Sequence, residues 1–225
     1  MTVTDKTLIS MSSSASQAAQ KRSRGQRFRA ATMSGLSLIG FDKRDWARIE
    51  LYAACDRFVA EHIDLEAHDV LAISSAQHIS SIGFKKFKAV EYPAFDICRD
   101  VLDASFDLII ADQVFEHVRY PYRAGRNVHS MLKLGGYFLI AVPFLLRIHP
   151  APLDCTRWSE EGLRYFLEEC GFDDRAITTG SWGNRQYVME HLLMREWWPR
   201  RGFFGSLRND PLFPVTTWAF ARRTA

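Results

Sequence analysis

The chain has 225 residues and a formal net charge of +3 at pH 7. A chain of this length buries roughly 70% of the surface that its unfolded form exposes, so we expect a hydrophobic core without disulfide or metal support. Basic residues are concentrated at the two ends, in residues 1–41 and 195–225, and the part between them is acidic overall. This distribution argues against nucleic-acid binding, because proteins that track a phosphate backbone place lysine and arginine across the folded face.

The cysteine spacing and the lengths of the apolar runs indicate a reduced protein without a membrane span. Cys55, Cys98, Cys155 and Cys170 form no CxxC pair, and no apolar leader precedes them. We therefore expect neither a disulfide framework nor a zinc ribbon, but a reduced, cytoplasmic protein. The longest apolar runs, such as Tyr137 to Phe144, are far shorter than the ~20 residues of a membrane span, so no span is expected.

Residues 1–34 are rich in serine, alanine, arginine and lysine and contain few large apolar residues. Burial of such a segment does not offset its ordering entropy, so we predict a flexible basic tail and a single domain over residues 35–225. An arginine- and serine-rich start is also typical of a transit peptide or of an arm that binds an anionic partner, and these alternatives stay open.

The first half of the domain contains one predicted helix and three predicted strands. Apolar residues recur at helical spacing over Asp45–Ile63, with the first residue as the N-cap. Short apolar runs predict strands at Asp69–Ser74 and Phe87–Pro93, the second of which ends at its proline because proline lacks the N–H that a strand ladder needs. Phe106–Ala111 is almost continuously apolar, as expected of a central parallel strand covered on both faces.

The middle of the chain continues the alternation of helices and strands. Arg123–Leu132 is a predicted helix, for which Gly135-Gly136 supplies the left-handed stop. Tyr137–Phe144 is the next predicted strand. A second helix begins after Ser159, has two glutamates in its first turn, and ends at Gly171.

The last part contains two predicted strands, at Phe172–Thr179 and Val215–Ala221, separated by an aromatic insertion over about residues 182–207. Tyr187–Met194 is a predicted helix within this insertion. Its aromatic side chains either line an acceptor pocket or form core and dimer packing, so a homodimer is possible. The whole pattern predicts an α/β fold with a Rossmann-like, doubly wound, mostly parallel sheet and ligands at the carboxyl ends of the strands.

Two strand ends carry candidate cofactor-binding residues. After the first strand the chain reads Ser74-Ser75-Ala76, with no glycine until Gly83. The serine hydroxyls can hydrogen-bond a carboxylate, but serine tolerates a positive φ less well than glycine does. Glu91 ends the second strand, where a carboxylate can accept hydrogen bonds from both ribose hydroxyls of a nucleoside; the alternative is an ordinary strand-end residue.

Phe106 to Phe172 contains, in order, FDLII, EHV, LKxGG, a Pro-Phe strand end and HxxPxDxxR. This order resembles the second half of class I S-adenosylmethionine-dependent methyltransferases, in their type 11-like branch. The resemblance implies S-adenosyl-L-methionine as the cofactor and a hydroxyl or amine of a small-molecule or glycan-like metabolite as the methyl acceptor. The stretch between Ser74 and Phe106 is short for the family, so we expect a sheet shortened between its first and fourth strands.

The resemblance also implies cofactor-binding roles. The family has a glycine-rich loop where this chain has Ser74 to Ala76. It implies that Asp96 and Ile97 meet the adenine amino group, although the alternative for Asp96 is a turn residue. The backbone of Ala111, Asp112 and Gln113 is implied to meet the amino-acid end of the cofactor.

The candidate catalytic residues follow the third and fourth predicted strands of the chain. Glu116 and His117 lie on the substrate side by resemblance, and His117 can be the general base because imidazole titrates near neutral pH. The alternative is a structural histidine that bonds nearby backbone. His149 is the second candidate base.

Three further residues of the HxxPxDxxR loop are candidates for substrate binding. Asp154 orients the acceptor or His149, Arg157 pairs with a carboxylate such as Asp154, and Trp158 directly follows the motif. The two histidines with Glu116 and Asp154 match no firm metal signature, so we expect no metal.

Two rival functions stay open. The missing glycine loop is also compatible with a non-catalytic member of the fold that has a binding or scaffolding role. A nicotinamide-dependent enzyme is a weaker alternative, because it also requires a glycine fingerprint after the first strand.

Overall fold

The structure, a computed structural model, describes residues 41–42, 46–74, 77–150, 153–193, 200–201 and 206–225. The predicted tail over residues 1–34 lies outside the described residues, as do Asp45, Ser75 and Ala76. The same holds for the second half of the aromatic insertion around Trp197.

The described residues form four helices of at least nine residues and one six-stranded sheet. The helices are α1 (Trp46–His62), α2 (Pro121–Met131), α3 (Glu160–Glu169) and α4 (Arg185–Leu193). The strands of the sheet are β1 (Asp69–Ile73), β2 (Lys86–Val90), β3 (Phe106–Asp112), β4 (Leu132–Pro143), β5 (Ile177–Trp182) and β6 (Thr216–Arg222). Short helical turns occur at Gln77–Ser80, Phe115–His117 and Asp174–Ala176, and the two-residue strands Phe41–Asp42 and Arg200–Arg201 pair antiparallel.

The strand order in the sheet is β2-β1-β3-β4-β6-β5. The first four strands are parallel, and β6 runs antiparallel between β4 and β5. The prediction of a doubly wound, mostly parallel α/β sheet is confirmed. The chain leaves β1 in one direction to form β2 and returns on the other side to form β3, so the topological switch point lies at the carboxyl ends of β1 and β3.

The core lies on both faces of this sheet. Along β3, Ile109 and Ala111 contact the cluster that contains α2 and α3, whereas Leu108 and Ile110 contact the cluster that contains α1. All four side chains are completely buried. Alternate residues of a strand point to opposite faces, which explains why a strand between two helical layers is apolar at every position.

The sheet is shortened between β2 and β3, as expected. Residues 91–105 contain only turns and irregular backbone. β2 ends at Val90 and not at Pro93, because the chain turns at once and the N–H of Phe95 donates to the carbonyl of Glu91 at 3.0 Å.

Two predicted boundaries in the second half were also wrong. Gly135-Gly136 does not stop α2, because the helix ends at Met131 and Leu132 is already extended and paired with Phe106. Gly135 instead has a φ of +87° at the irregular step where the pairing of β4 with β3 shifts register. β5 begins at Ile177 and not at Phe172, because Asp174–Ala176 forms a short helical turn.

The ends of α3 agree with the sequence analysis. The Ser159 side chain accepts a hydrogen bond from the N–H of Gly162 at 3.2 Å, and Gly171 has a φ of +110° beyond the last turn. Within the described ranges, no helix is both long enough and apolar enough to cross a membrane.

Candidate active site

Both strands at the switch point end in a non-glycine residue with left-handed backbone. Ser74 after β1 has a φ of 69°, and Gln113 after β3 has a φ of 56°. This conformation costs roughly 1–2 kcal/mol for a residue with a Cβ. The Ser74 N–H donates to the Val90 carbonyl at 2.7 Å, and the Gln113 N–H donates to the Ala141 carbonyl at 2.9 Å. The neighbouring strands therefore hold both turns, and the chain makes its tight turn at β1 without the family's glycine.

A buried carboxylate lies between the switch point and α1. The Asp112 side chain is only 5% exposed, and its Oδ2 accepts a hydrogen bond from the Tyr52 hydroxyl at 3.0 Å. Arg48 donates to the Tyr52 hydroxyl at 2.6 Å and lies 3.7 Å from Asp112 Oδ2. Among the described residues no donor meets the hydrogen-bond geometry at Asp112 Oδ1, which is buried, although the Gln113 side chain lies close enough to lower the pKa of this carboxyl. One oxygen of this carboxylate is therefore fixed, and the other is a free acceptor.

Burial also shifts the pKa values of Asp112 and Tyr52. It raises the pKa of Asp112, although the Arg48 guanidinium opposes the shift. Burial and then the Asp112 charge raise the pKa of Tyr52 to about 12, so the hydroxyl stays a donor. The sequence analysis missed both α1 residues. The available signal was an arginine and a tyrosine four residues apart, which places them on one helix face.

A histidine after β1 extends the same network. The His78 ring stacks on the Tyr52 ring with centroids 4.1 Å apart, and its Nε2 lies 2.9 Å from Asp56 Oδ1. The crevice at the carboxyl ends of β1 and β3 is thus bordered by α1 on one side.

Of the three predicted cofactor-binding residues after β2, two are already engaged by the protein itself. Glu91 is exposed and directly follows the last residue of β2. Asp96 Oδ1 accepts the Cys98 N–H at 3.0 Å, and its Oδ2 lies 3.6 Å from Arg99 Nε. Ile97 is 6% exposed and belongs to the core. The Asp96 carboxylate is therefore already used by its own turn.

The two predicted bases lie next to each other. The His117 and His149 rings make an edge-to-face contact with centroids 5.2 Å apart. His117 Nδ1 is hydrogen-bonded to the Leu153 carbonyl, which can only accept, so Nδ1 carries the hydrogen and Nε2 is the basic atom. Burial lowers the pKa of His149, so this ring is neutral at pH 7.

Glu116 lies beside the Nε2 atom of His117. Its side chain is completely buried, neither carboxylate oxygen has a hydrogen-bond partner on another described residue, and Oε1 lies 3.6 Å from His117 Nε2. Burial raises the pKa of Glu116 to about 7; the Arg157 charge acts against this shift, and the charges of Asp112 and Asp154 reinforce it. A carboxyl group of this kind exchanges a proton near neutral pH.

Two hydrogen bonds join the loop after β4 to the loop after β3. The Cys155 N–H donates to the Glu116 carbonyl at 2.7 Å, and the Thr156 hydroxyl donates to the Phe115 carbonyl at 3.1 Å. The Arg157 guanidinium binds both oxygens of Asp154, with one of the two bonds at 2.6 Å from Nη2. This double contact is the strong geometry for an arginine and a carboxylate.

Asp154 and Trp158 therefore have structural partners. Asp154 Oδ2 also accepts the His149 N–H at 2.8 Å. Burial acts to raise the pKa of Asp154, but the hydrogen bonds from Arg157 and His149 hold it below its usual range. Trp158 is 9% exposed and packs on Phe166, with ring centroids 5.0 Å apart. Among the described residues, no group of three His, Cys, Asp or Glu side chains is arranged to hold a metal ion.

Comparison with known proteins agrees with this architecture. A family model described as a methyltransferase domain matches residues 51–140, so it ends before the HxxPxDxxR loop. No curated protein sequence matches the chain.

Solved structures share the fold at low sequence identity. The methyltransferase of Haloferax volcanii, solved with the Trm112 methyltransferase activator, has a TM-score of 0.52 at 14% identity, over 76% of this chain and 89% of that one. The CurJ carbon methyltransferase has a TM-score of 0.53 at 11% identity, over 86% of this chain and 58% of that one. The [4+2]-cyclase SpnF has a TM-score of 0.50 at 16% identity, over 82% and 86%. At these identities the likeness shows the fold alone.

The sheet, the crevice at its switch point and the matched domain define the class I methyltransferase fold. Residues 51–140 match the methyltransferase-domain family, and the chain has the class I methyltransferase fold, whose members bind S-adenosyl-L-methionine at this edge of the sheet.

Proposed function

We propose that the protein transfers a methyl group to a hydroxyl or amine of a small-molecule or glycan-like metabolite, and that His117 or His149 accepts the acceptor's proton. The observation that carries this proposal is the pair of adjacent imidazole rings after β3 and β4, backed by the buried carboxyl group of Glu116. Both loops follow parallel strands at the edge of the sheet where ligands of this architecture bind.

The residues at the switch point fit the methyl donor. The free, buried Oδ1 of Asp112 is an acceptor for an ammonium group, and the left-handed turns at Ser74 and Gln113 bring backbone close to a ligand. Glu91, exposed after β2, is available to the ribose hydroxyls. When it is bound, S-adenosylmethionine supplies a methyl group that is already electrophilic, so the protein mainly has to align the acceptor and remove a proton.

The histidine pair supports proton removal from an acceptor. As the acceptor oxygen or nitrogen bonds to carbon, its own proton must leave, and a neutral imidazole can take it. The hydrogen bond from His117 Nδ1 to Leu153 fixes the tautomer with a basic Nε2, and a proton taken up there is stabilised by Glu116 once this carboxyl group is ionised.

The protein should be tested with labelled S-adenosylmethionine and a panel of hydroxyl and amine metabolites. On the acceptor found, His117→Gln or His149→Gln should lower kcat by at least about 100-fold, the usual contribution of a general base. Binding of S-adenosylhomocysteine, measured by calorimetry, should stay within twofold of the unsubstituted protein. His68→Gln is the matched control, because this ring lies in the turn before β1, at the opposite end of that strand.

Two results would contradict the proposal. Full turnover in both variants would exclude the histidines as the base. No binding of S-adenosylhomocysteine at high micromolar protein would favour the rival reading, a methyltransferase fold with a binding or scaffolding role.

A further inference from the structure

A cavity lies at the opposite end of the sheet from the candidate active site. It has a volume of about 600 Å³ and is lined by the carboxyl-terminal half of α1, one residue of β4, the short helical turn Asp174–Ala176, and residues of β5 and of β6 and its continuation. Tyr137 of β4, which lines it, lies six residues before Pro143, or about 20 Å along the strand. We call it the arginine cavity, after Arg57, Arg175 and Arg222 in its wall.

Its wall carries more positive than negative charge among the described residues. The wall contains three guanidinium groups and one carboxylate, that of Glu61. The structure, within its described residues, places no carboxylate within 4.0 Å of any of these three guanidinium groups. Three cations that face one concave space repel each other, and an anion bound between them relieves that repulsion.

One wall of the cavity is fixed and aromatic. The Phe58 ring stacks on Phe220 with centroids 4.0 Å apart, and the His62 ring stacks on the other side of Phe58 at 4.6 Å. Arg222 donates from Nε to the Gly135 carbonyl at 3.1 Å, and its guanidinium lies 5.7 Å from the Tyr137 ring centroid. Because Phe58 is covered on both faces and Phe220 is buried, the ring surface that a ligand can reach is that of the exposed His62 and the half-buried Tyr137, beside the held guanidinium of Arg222.

We propose that the arginine cavity binds a small ligand that carries phosphate groups beside a flat ring, at a site separate from the methyl donor. The planar fork of arginine matches phosphate oxygens in pairs, and aromatic rings accept a flat base by stacking. The volume suits such a ligand, because ligand sites span roughly 300–1,000 Å³. S-adenosylmethionine fits less well, since its sulfonium and ammonium groups would face three arginines.

The test uses the full chain, with ADP, inorganic pyrophosphate, adenosine and poly-glutamate as probes in calorimetry. ADP should bind saturably and at least tenfold more tightly than pyrophosphate or adenosine, because only ADP meets both the arginines and the rings. The double variant Arg57→Gln/Arg175→Gln should lose at least tenfold in ADP affinity. Arg126→Gln, an exposed arginine on α2, should lose none.

The outcomes separate this site from the active site and from a protein interface. S-adenosylhomocysteine binding should be unchanged in the double variant, and it should not compete with ADP. The proposal is overturned by competition between these two ligands, by equal ADP affinity in the double variant and the unsubstituted protein, or by no saturable ADP binding. It is also overturned by pyrophosphate or adenosine binding as tightly as ADP, or by poly-glutamate binding in preference to ADP. None of these results depends on methyl transfer.

Discussion

Replacing Glu116 with glutamine should change how the stability of the protein depends on pH. In the folded protein this carboxyl group has a pKa of about 7, because it is removed from water, whereas its ordinary value is 4.5. Between these two values the folded state holds a proton that the unfolded state releases. Stability from this group is therefore complete below pH 4.5 and is lost as the pH rises through about 7.

The magnitude follows from the two pKa values. A change from 4.5 to about 7 corresponds to roughly 3 kcal/mol, at about 1.4 kcal/mol for each tenfold change in proton affinity. The side chain is completely buried, so solvent screening does not reduce this figure. The groups that act on it are its own backbone N–H and the Arg157 guanidinium, which lower the pKa, and the carboxylates of Asp112 and Asp154, which raise it; His117 Nε2 lies at 3.6 Å.

The assay is urea unfolding followed by tryptophan fluorescence at pH 5, 6, 7 and 8. Glutamine has nearly the same shape and no titration, so Glu116→Gln should lose less free energy of unfolding from pH 5 to pH 8 than the unsubstituted protein, by roughly 2.5 kcal/mol, because part of the full effect lies below pH 5. Any fixed cost of the buried amide affects all four values equally. Glu169→Gln, at a side chain 65% exposed, is the control and should parallel the unsubstituted protein. Parallel curves for Glu116→Gln would refute the argument that this carboxyl group is buried without partners.

Two further substitutions test the crevice and the packing of the helices. Asp112→Asn removes the charge beside Tyr52, and calorimetry should show S-adenosylhomocysteine affinity reduced by about 1–3 kcal/mol; unchanged affinity would remove Asp112 from the donor site. Gly125→Ala places a Cβ against Cys170 Sγ and 3.0 Å from Phe166 Cζ, where α2 meets α3. Overpacking of this kind costs about 1–3 kcal/mol, so the urea midpoint should fall, and an unchanged midpoint would show that the two helices can separate slightly at no cost.

The sequence predicted the order of the helices and strands. It did not predict which distant side chains contact each other. The apolar run of β3 and the cap at Ser159 are local signals, and both elements form where they were predicted. The pairing of His117 with His149 followed from strand order, because parallel strands end at one edge of the sheet.

Other features depended on contacts between distant residues. Tyr52 reaches Asp112 across 60 positions of the chain, so the spacing of Arg48 and Tyr52 predicts a shared helix face but not the carboxylate that this face meets. The left-handed turn at Ser74 is held by a bond to β2, which overrides the preference of serine for negative φ. The loop after β4 is hydrogen-bonded to the Glu116 backbone, so the burial of this side chain depends on residues distant in the sequence, and the sequence alone predicted only a position on the substrate side.

The outer edge of β2 affects how copies of the chain can meet. This strand is paired on one side only, with β1, among the described strands. Two of its five residues, Lys86 and Lys88, are exposed lysines, and Lys85 precedes them. Lysine on an open edge opposes the addition of another strand. Two copies that approach each other by this edge bring like charges together, so the sheet should not continue from one subunit into the next through β2, and dimers or larger aggregates of that type are disfavoured even in concentrated solution.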